Sequence, residues 1–118
     1  MTDAAPSLGY DVPSNQPIEL FEVLIDKVGT EDWLRFRFLA PTIGKKADAR
    51  SFAEVEGDFE HLCTAVAQPY IEAHGLTADI VAIAMLDRPV TFGQSDPEAT
   101  QYVDVFRITS GACVWEGL

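Results

Sequence analysis

The chain has 118 residues, 47% of them apolar and 23% charged, a balance that suits one globular domain and excludes a disordered chain. Nineteen acidic residues stand against eight Lys and Arg, for a formal net charge of -11. Nucleic acid and anionic lipid both call for a basic face, so neither is expected as a partner, and no apolar run approaches the roughly 20 residues of a membrane span.

Residues 1–17 are rich in Pro, Ser, Asn and Asp and lack apolar periodicity. They read as a flexible N-terminal arm ahead of a single domain over 18–118, with Tyr10 and Val12 placed to pin part of it. No cationic start followed by an apolar core is present, so no signal peptide is expected there. Residues 18–26 read as a strand with Phe21, Val23 and Ile25 on one face and Ile18, Leu20 and Leu24 mostly on the other. A turn from Lys27 to Asp32 leads to a second strand, 33–39. There Leu34, Phe36 and Phe38 alternate with Trp33, Arg35, Arg37 and Leu39, so one face is buried and the other wetter. The two strands form a hairpin.

Residues 41–50 form a loop with a small basic cluster. Gly44-Lys45-Lys46 is no phosphate loop, because Leu39 stands where the earlier glycine is needed and no Ser or Thr follows the lysines. Ser51 and Glu54 form a capping box for a helix whose stripe is Phe52, Val55, Phe59, Leu62, Cys63 and Val66. Pro69 is expected to end or kink that helix near Ala67, with a further turn over 70–74 closed by Gly75. Residues 79–86 are apolar on both faces and read as a central strand. Strands over 101–108 and 112–115 follow, joined by a turn at Thr109-Ser110-Gly111. The order β-β-α-β-β-β predicts an α+β fold, a mostly antiparallel sheet of about five strands with one long helix packed on a face.

The residue types that carry chemistry are sparse. Glu54, Asp58 and Glu60 stand where a helix start favours carboxylates, so they read as a solvated face rather than as acid–base partners. His61 and Cys63 lie two apart on a helix and point in different directions. With only His74 and Cys113 left to recruit, no metal site is expected. Neither Gly-x-Ser-x-Gly nor Gly-x-Gly-x-x-Gly occurs, and no cofactor is expected. Cys63 and Cys113 fall on elements that can meet. They form either a disulfide or two buried apolar thiols, depending on the redox compartment.

Trp33, Arg35 and Arg37 share one strand face, and Trp with Arg is the composition of binding hot spots. The plainer reading is cross-strand pairing of the two arginines with Glu19 or Asp26. Arg88 either pairs with Asp87 to shape a turn or meets an anion, and Trp115 is either core or contact. Charge is uneven as well: residues 1–50 carry a net -2 and residues 51–118 a net -9.

Several segments together resemble a known family. They are His61-Leu62-Cys63, Ala67-Gln68-Pro69-Tyr70, Leu86-Asp87-Arg88-Pro89-Val90-Thr91-Phe92-Gly93, Asp96-Pro97-Glu98-Ala99-Thr100-Gln101-Tyr102 and Cys113-Val114-Trp115-Glu116-Gly117, with Glu22-Val23-Leu24-Ile25-Asp26 and Trp33-Leu34-Arg35-Phe36-Arg37-Phe38. Over roughly residues 12–118 the chain resembles an uncharacterised family of small alphaproteobacterial proteins, many with a signal peptide and some labelled acetolactate synthase. That label does not suit a chain this short, which shows nothing like a thiamine-diphosphate site. The resemblance implies a periplasmic setting, or a cytoplasmic one if Met1 is the native start, and it adds weight to a Cys63–Cys113 bridge.

The leading functional expectation is a non-catalytic binding or accessory protein that docks on a protein partner, such as the soluble face of a membrane complex. The partner contacts expected are Trp33, Arg35, Arg37 and Arg88, together with the acidic helix surface. An acidic inhibitor or immunity-type protein is the alternative, since its charge would steer it to a basic toxin. A small enzyme around Asp87, Arg88 and Asp96 is the third.

Overall fold

Every other residue of the second strand is a large apolar side chain, and that alternation fixes which face of the sheet the helix covers. In the computed structural model, which describes residues 10–117, β1 (Glu19–Val28), β2 (Glu31–Leu39), β3 (Ile80–Leu86), β4 (Gln101–Thr109) and β5 (Ala112–Trp115) form one sheet. Their spatial order follows the chain, β1-β2-β3-β4-β5. The pairs are antiparallel except for β2 with β3, which run parallel because a helical crossover joins them. The α+β architecture expected from the sequence is the one observed, with β3 buried along its whole length at the centre.

Leu34, Phe36 and Phe38 of β2, Val81, Ile83 and Met85 of β3 and Phe106 of β4 meet the helix face. That face presents Val55, Phe59, Leu62, Cys63 and Ala67. Helix α1 (Phe52–Leu62) starts at the expected capping box: the Glu54 backbone N–H donates to Ser51 Oγ, and the Ser51 N–H donates to Glu54 Oε1 at 2.8 Å. The Ser51 backbone N–H, then its hydroxyl, hold the Glu54 carboxyl below the ordinary carboxylate range. The box is therefore complete at neutral pH and loosens only in acid.

Pro69 does not end the helix. The turn Cys63–Ala67 is a π-helix, in which the Gln68 N–H reaches back five residues to the Cys63 carbonyl. This shift of the hydrogen-bond ladder places Pro69 in the first turn of α2 (Gln68–Ala73), where a missing N–H costs little. Gly75, at φ 61°, then closes α2 in a Schellman motif: Leu76 N–H donates to the Ile71 carbonyl and Gly75 N–H to that of Glu72.

Two local readings are corrected. The turn expected over Lys27 to Asp32 is only Gly29-Thr30, because β1 and β2 pair out to Val28 and Glu31. Gly29 at φ 63° supplies the positive dihedral that a two-residue hairpin turn needs. A bulge between Leu20 and Glu22 also shifts the alternation of β1. Leu20 thereby joins Val23 and Ile25 on the helix side, opposite Phe38, Phe36 and Leu34, while Phe21 joins Glu22 and Leu24 on the other.

The segment expected to be a loose arm is packed from Tyr10 onward, and its first nine residues lie outside the described ones. Val12 and Gln16 are buried, and the Tyr10 ring meets Phe38 edge-on at 6.1 Å. The anchor is Asp58, which the sequence placed on a solvated face. It is fully buried and accepts from Ser14 N at 2.9 Å, Ser14 Oγ at 2.5 Å and Gln16 Nε2 at 2.9 Å. Asp58 stands three residues after Val55 and four before Leu62, so helical spacing sets it on the core stripe.

Cys63 and Cys113 form a disulfide with a Cα–Cα distance of 6.3 Å, tying the π turn to β5. Among the described residues no helix is long and apolar enough to cross a membrane.

Candidate functional site

The helices cover one face of the sheet. On the other, the register lines up Glu22–Arg37–Ala84–Val103 as one row and Leu24–Arg35–Ala82–Val105 as the next. Small alanines at the centre leave room above them for the two arginine side chains of β2.

A loop over 87–100 closes over these arginines, and its foot is tightly held. Asp87, nearly buried, accepts from Thr100 N at 2.7 Å through one oxygen and from Arg88 through the other. A Cβ on Gly44 would stand 2.8 Å from that second oxygen, so the 41–50 loop packs directly on Asp87. Lys45 Nζ donates to the Pro97 carbonyl at 2.8 Å, and Arg37 Nη2 to the Val90 carbonyl at 2.8 Å. Asp96 serves the same loop by accepting from Glu98 N.

The loop carries Phe92 between the two guanidinium groups, and a ladder of alternating rings and cations results. The Arg35 guanidinium carbon lies 4.9 Å from the centre of the Trp33 ring and 5.3 Å from that of Phe92. That of Arg37 lies 5.5 Å from Phe92 and 5.7 Å from Phe21. Each rung places a cation over a negative π-face. Both cations also have carboxylate partners: Arg35 meets Asp26 at 3.3 Å, and Arg37 meets Glu22. Beside the ladder runs a groove of about 390 Å³ between Phe21, Glu22 and Leu24 of β1 and residues 89–92 of the loop. Phe92 is half exposed at its rim.

Trp33, Arg35 and Arg37 therefore come together, as their spacing on one strand implied. Arg88 takes no part in the ladder, since its guanidinium turns to Asp87. The cross-strand partner of Arg35 is Asp26, one of the two expected; that of Arg37 is Glu22 rather than Glu19, because the register set by the two-residue turn puts Glu22 opposite Arg37 and Glu19 opposite Leu39. Phe21 and Phe92 were missed. Phe92 had a signal, as the one aromatic residue within 87–100, whereas the bulge that turns Phe21 over has none. The Trp33 indole N–H and Arg35 Nε are buried without hydrogen-bond partners among the described residues.

The two arginines differ in what they support. The Arg37 side chain is 3% exposed and bonds both Glu22 and the loop, whereas that of Arg35 is 23% exposed and faces a half-exposed Asp26. Arg37→Ala strands a half-buried carboxylate and frees the loop, so a loss of about 2–3 kcal/mol is expected. Arg35→Ala is expected to cost below about 1 kcal/mol. Urea unfolding of the two variants checks the order, and equal losses would show that the ladder acts as one unit.

At the end of the sheet Arg107 bridges Glu31 at 2.6 Å and Glu116 at 2.8 Å, and these bonds hold its proton more tightly than usual. Asp32 raises the pKa of Lys27 in the same way, at 2.8 Å. No group of three His, Cys, Asp or Glu side chains among the described residues is placed to hold a metal ion.

The model of a family of unknown function, DUF6497, matches residues 1–118, and the chain belongs to that family. No curated protein and no solved structure matches it.

Proposed function

We propose that this family member is a non-catalytic binding protein that docks on a protein partner through the open face of its sheet. The observation that supports the reading is the cation–aromatic ladder. It holds Trp33, Arg35 and Phe92 in fixed positions on a face that no helix of the described residues covers, so little side-chain freedom is lost on contact. The partner that fits is a protein surface presenting an apolar side chain to the groove between Phe21 and Phe92, with an acceptor for Arg35. Arg37 acts from beneath by holding Phe92 and the loop, and Arg88 stands at the loop foot on the rim. The protein works outside the cytoplasm, at the soluble face of a membrane complex. The Cys63–Cys113 disulfide supports that setting, because such bonds persist where the medium is oxidising. It also agrees with the secreted alphaproteobacterial proteins that the sequence resembles.

The test is a tagged pull-down from soluble and membrane fractions, with stoichiometry by mass spectrometry, of the wild type against Phe92→Ala and Arg35→Ala. One partner at near-equal amounts, lost from both variants while their melting temperatures stay within a few degrees, is the expected result. Undiminished recovery with both variants removes the open face as the site.

A further inference from the structure

The acidic residues of the open face have resident cations: Glu22, Asp26, Glu31 and Glu116 all pair with arginine. A cleft on the helix side differs. It lies between α1 and the β4–β5 edge, encloses about 380 Å³, and is lined by Glu56, Gly57, Glu60, Asp104, Phe106 and Trp115. Glu56 and Glu60 are one helical turn apart and exposed, and neither they nor Asp104 meets a cation among the described residues.

The aromatic wall of the cleft is exposed yet fixed. Trp115 is 60% exposed, but its indole N–H donates to Asp104 Oδ1 at 2.7 Å. Gly117 packs on the ring, where a Cβ would lie 3.5 Å from it. Phe106, buried, forms the floor. The helix wall is cut away at Gly57. Glycine weakens a helix interior relative to alanine, and a Cβ there would meet nothing within 4 Å, so packing does not call for it. Its effect is a notch between the two glutamates, opposite the indole.

We propose that this cleft takes a lysine or arginine side chain from a basic protein partner. The aliphatic stem lies along Phe106 and the Gly57 notch, and the charged head meets the Trp115 face within reach of the three carboxylates. The net charge of -9 over residues 51–118 is far more than one small amine would neutralise, which points to a basic polypeptide that this field steers to the cleft. The site lies across the sheet from the ladder and does not depend on it.

A lysine-rich peptide titrated into nitrogen-15-labelled full chain at low salt tests this through the indole N–H signals. The Trp115 signal is expected to shift while that of Trp33 does not, and a glutamate-rich peptide of equal length should move neither. Glu56→Gln with Glu60→Gln should weaken binding at least about tenfold, as interactions of this kind convert. Glu72→Gln with Glu98→Gln, which removes the same charge from exposed sites elsewhere, should change it less than about twofold. An unmoved Trp115 signal, or equal weakening by the two pairs, overturns the proposal; the latter would show a diffuse field and no site.

Discussion

Replacing Cys63 and Cys113 together by alanine is expected to lower stability by about 4 kcal/mol and the melting temperature by about 15 °C. The bridge spans 50 residues of sequence, and closing a loop of that length removes much of the unfolded chain's freedom. The loss also has a location. β5 is four residues long, lies at the sheet edge and, among the described residues, pairs only with β4. Beyond its contacts with β4, its ties to the body include the bridge to the π turn and the Gln68 amide, which reaches Cys113 Sγ at 3.3 Å. Without the bridge, amide exchange should quicken first across residues 112–116 and then along β4. Alanine suits the test better than serine because Cys63 is fully buried and a hydroxyl there would lack a partner. Calorimetry of oxidised wild type, reduced wild type and the double variant separates the cross-link from packing. A melting temperature within a few degrees of wild type in the double variant would show that the β4–β5 hairpin holds without it.

Much of this architecture is legible in the sequence because two periodicities are clean. Leu34, Phe36 and Phe38 at spacing two assign the covered face of β2, and Val55, Phe59 and Leu62 at helical spacing assign that of α1. The unbroken apolar run of β3 marks it as central. What was not legible depended on a shift of phase or on a distant partner. The bulge beside Phe21 inserts one residue into β1 and reverses the faces before it, and no residue type there announces it. The π turn does the same for the helix and removes the conflict that Pro69 would otherwise create. The candidate site follows the same division. Trp33, Arg35 and Arg37 share a face by spacing alone. The loop that brings Phe92 between the arginines is set by Asp87, Thr100 and Gly44, which are remote from one another in sequence. The cleft at Trp115 joins two elements about 50 residues apart, so the tryptophan alone could be read either way.

Asp58→Ala is expected to cost about 3 kcal/mol, lowering the melting temperature by about 12 °C, although the residue looks on paper like one of several helix carboxylates. It lies at 0% exposure beneath the segment 10–17 and accepts three hydrogen bonds from it. Truncation leaves the part-buried Ser14 N and the buried Gln16 Nε2 without that acceptor, and donors left unpaired there lose solvation. The damage should spread, because Gln16 also accepts from Thr42 and Arg50 Nη1 holds the Ser14 carbonyl at 2.7 Å. Tyr10 and Val12 are then expected to lift from the core, so limited proteolysis should cut within 10–17 before the domain unfolds. Asp58→Asn keeps one acceptor and should lose about half as much. Ser14→Ala, which removes the hydroxyl, should cost about 1–2 kcal/mol alone and almost nothing on top of Asp58→Ala, since groups in one network do not add. Chemical denaturation of the four variants makes the comparison. A double variant whose loss equals the sum of the two singles would show that Asp58 and Ser14 act independently, and that the N-terminal segment is held by its apolar contacts instead.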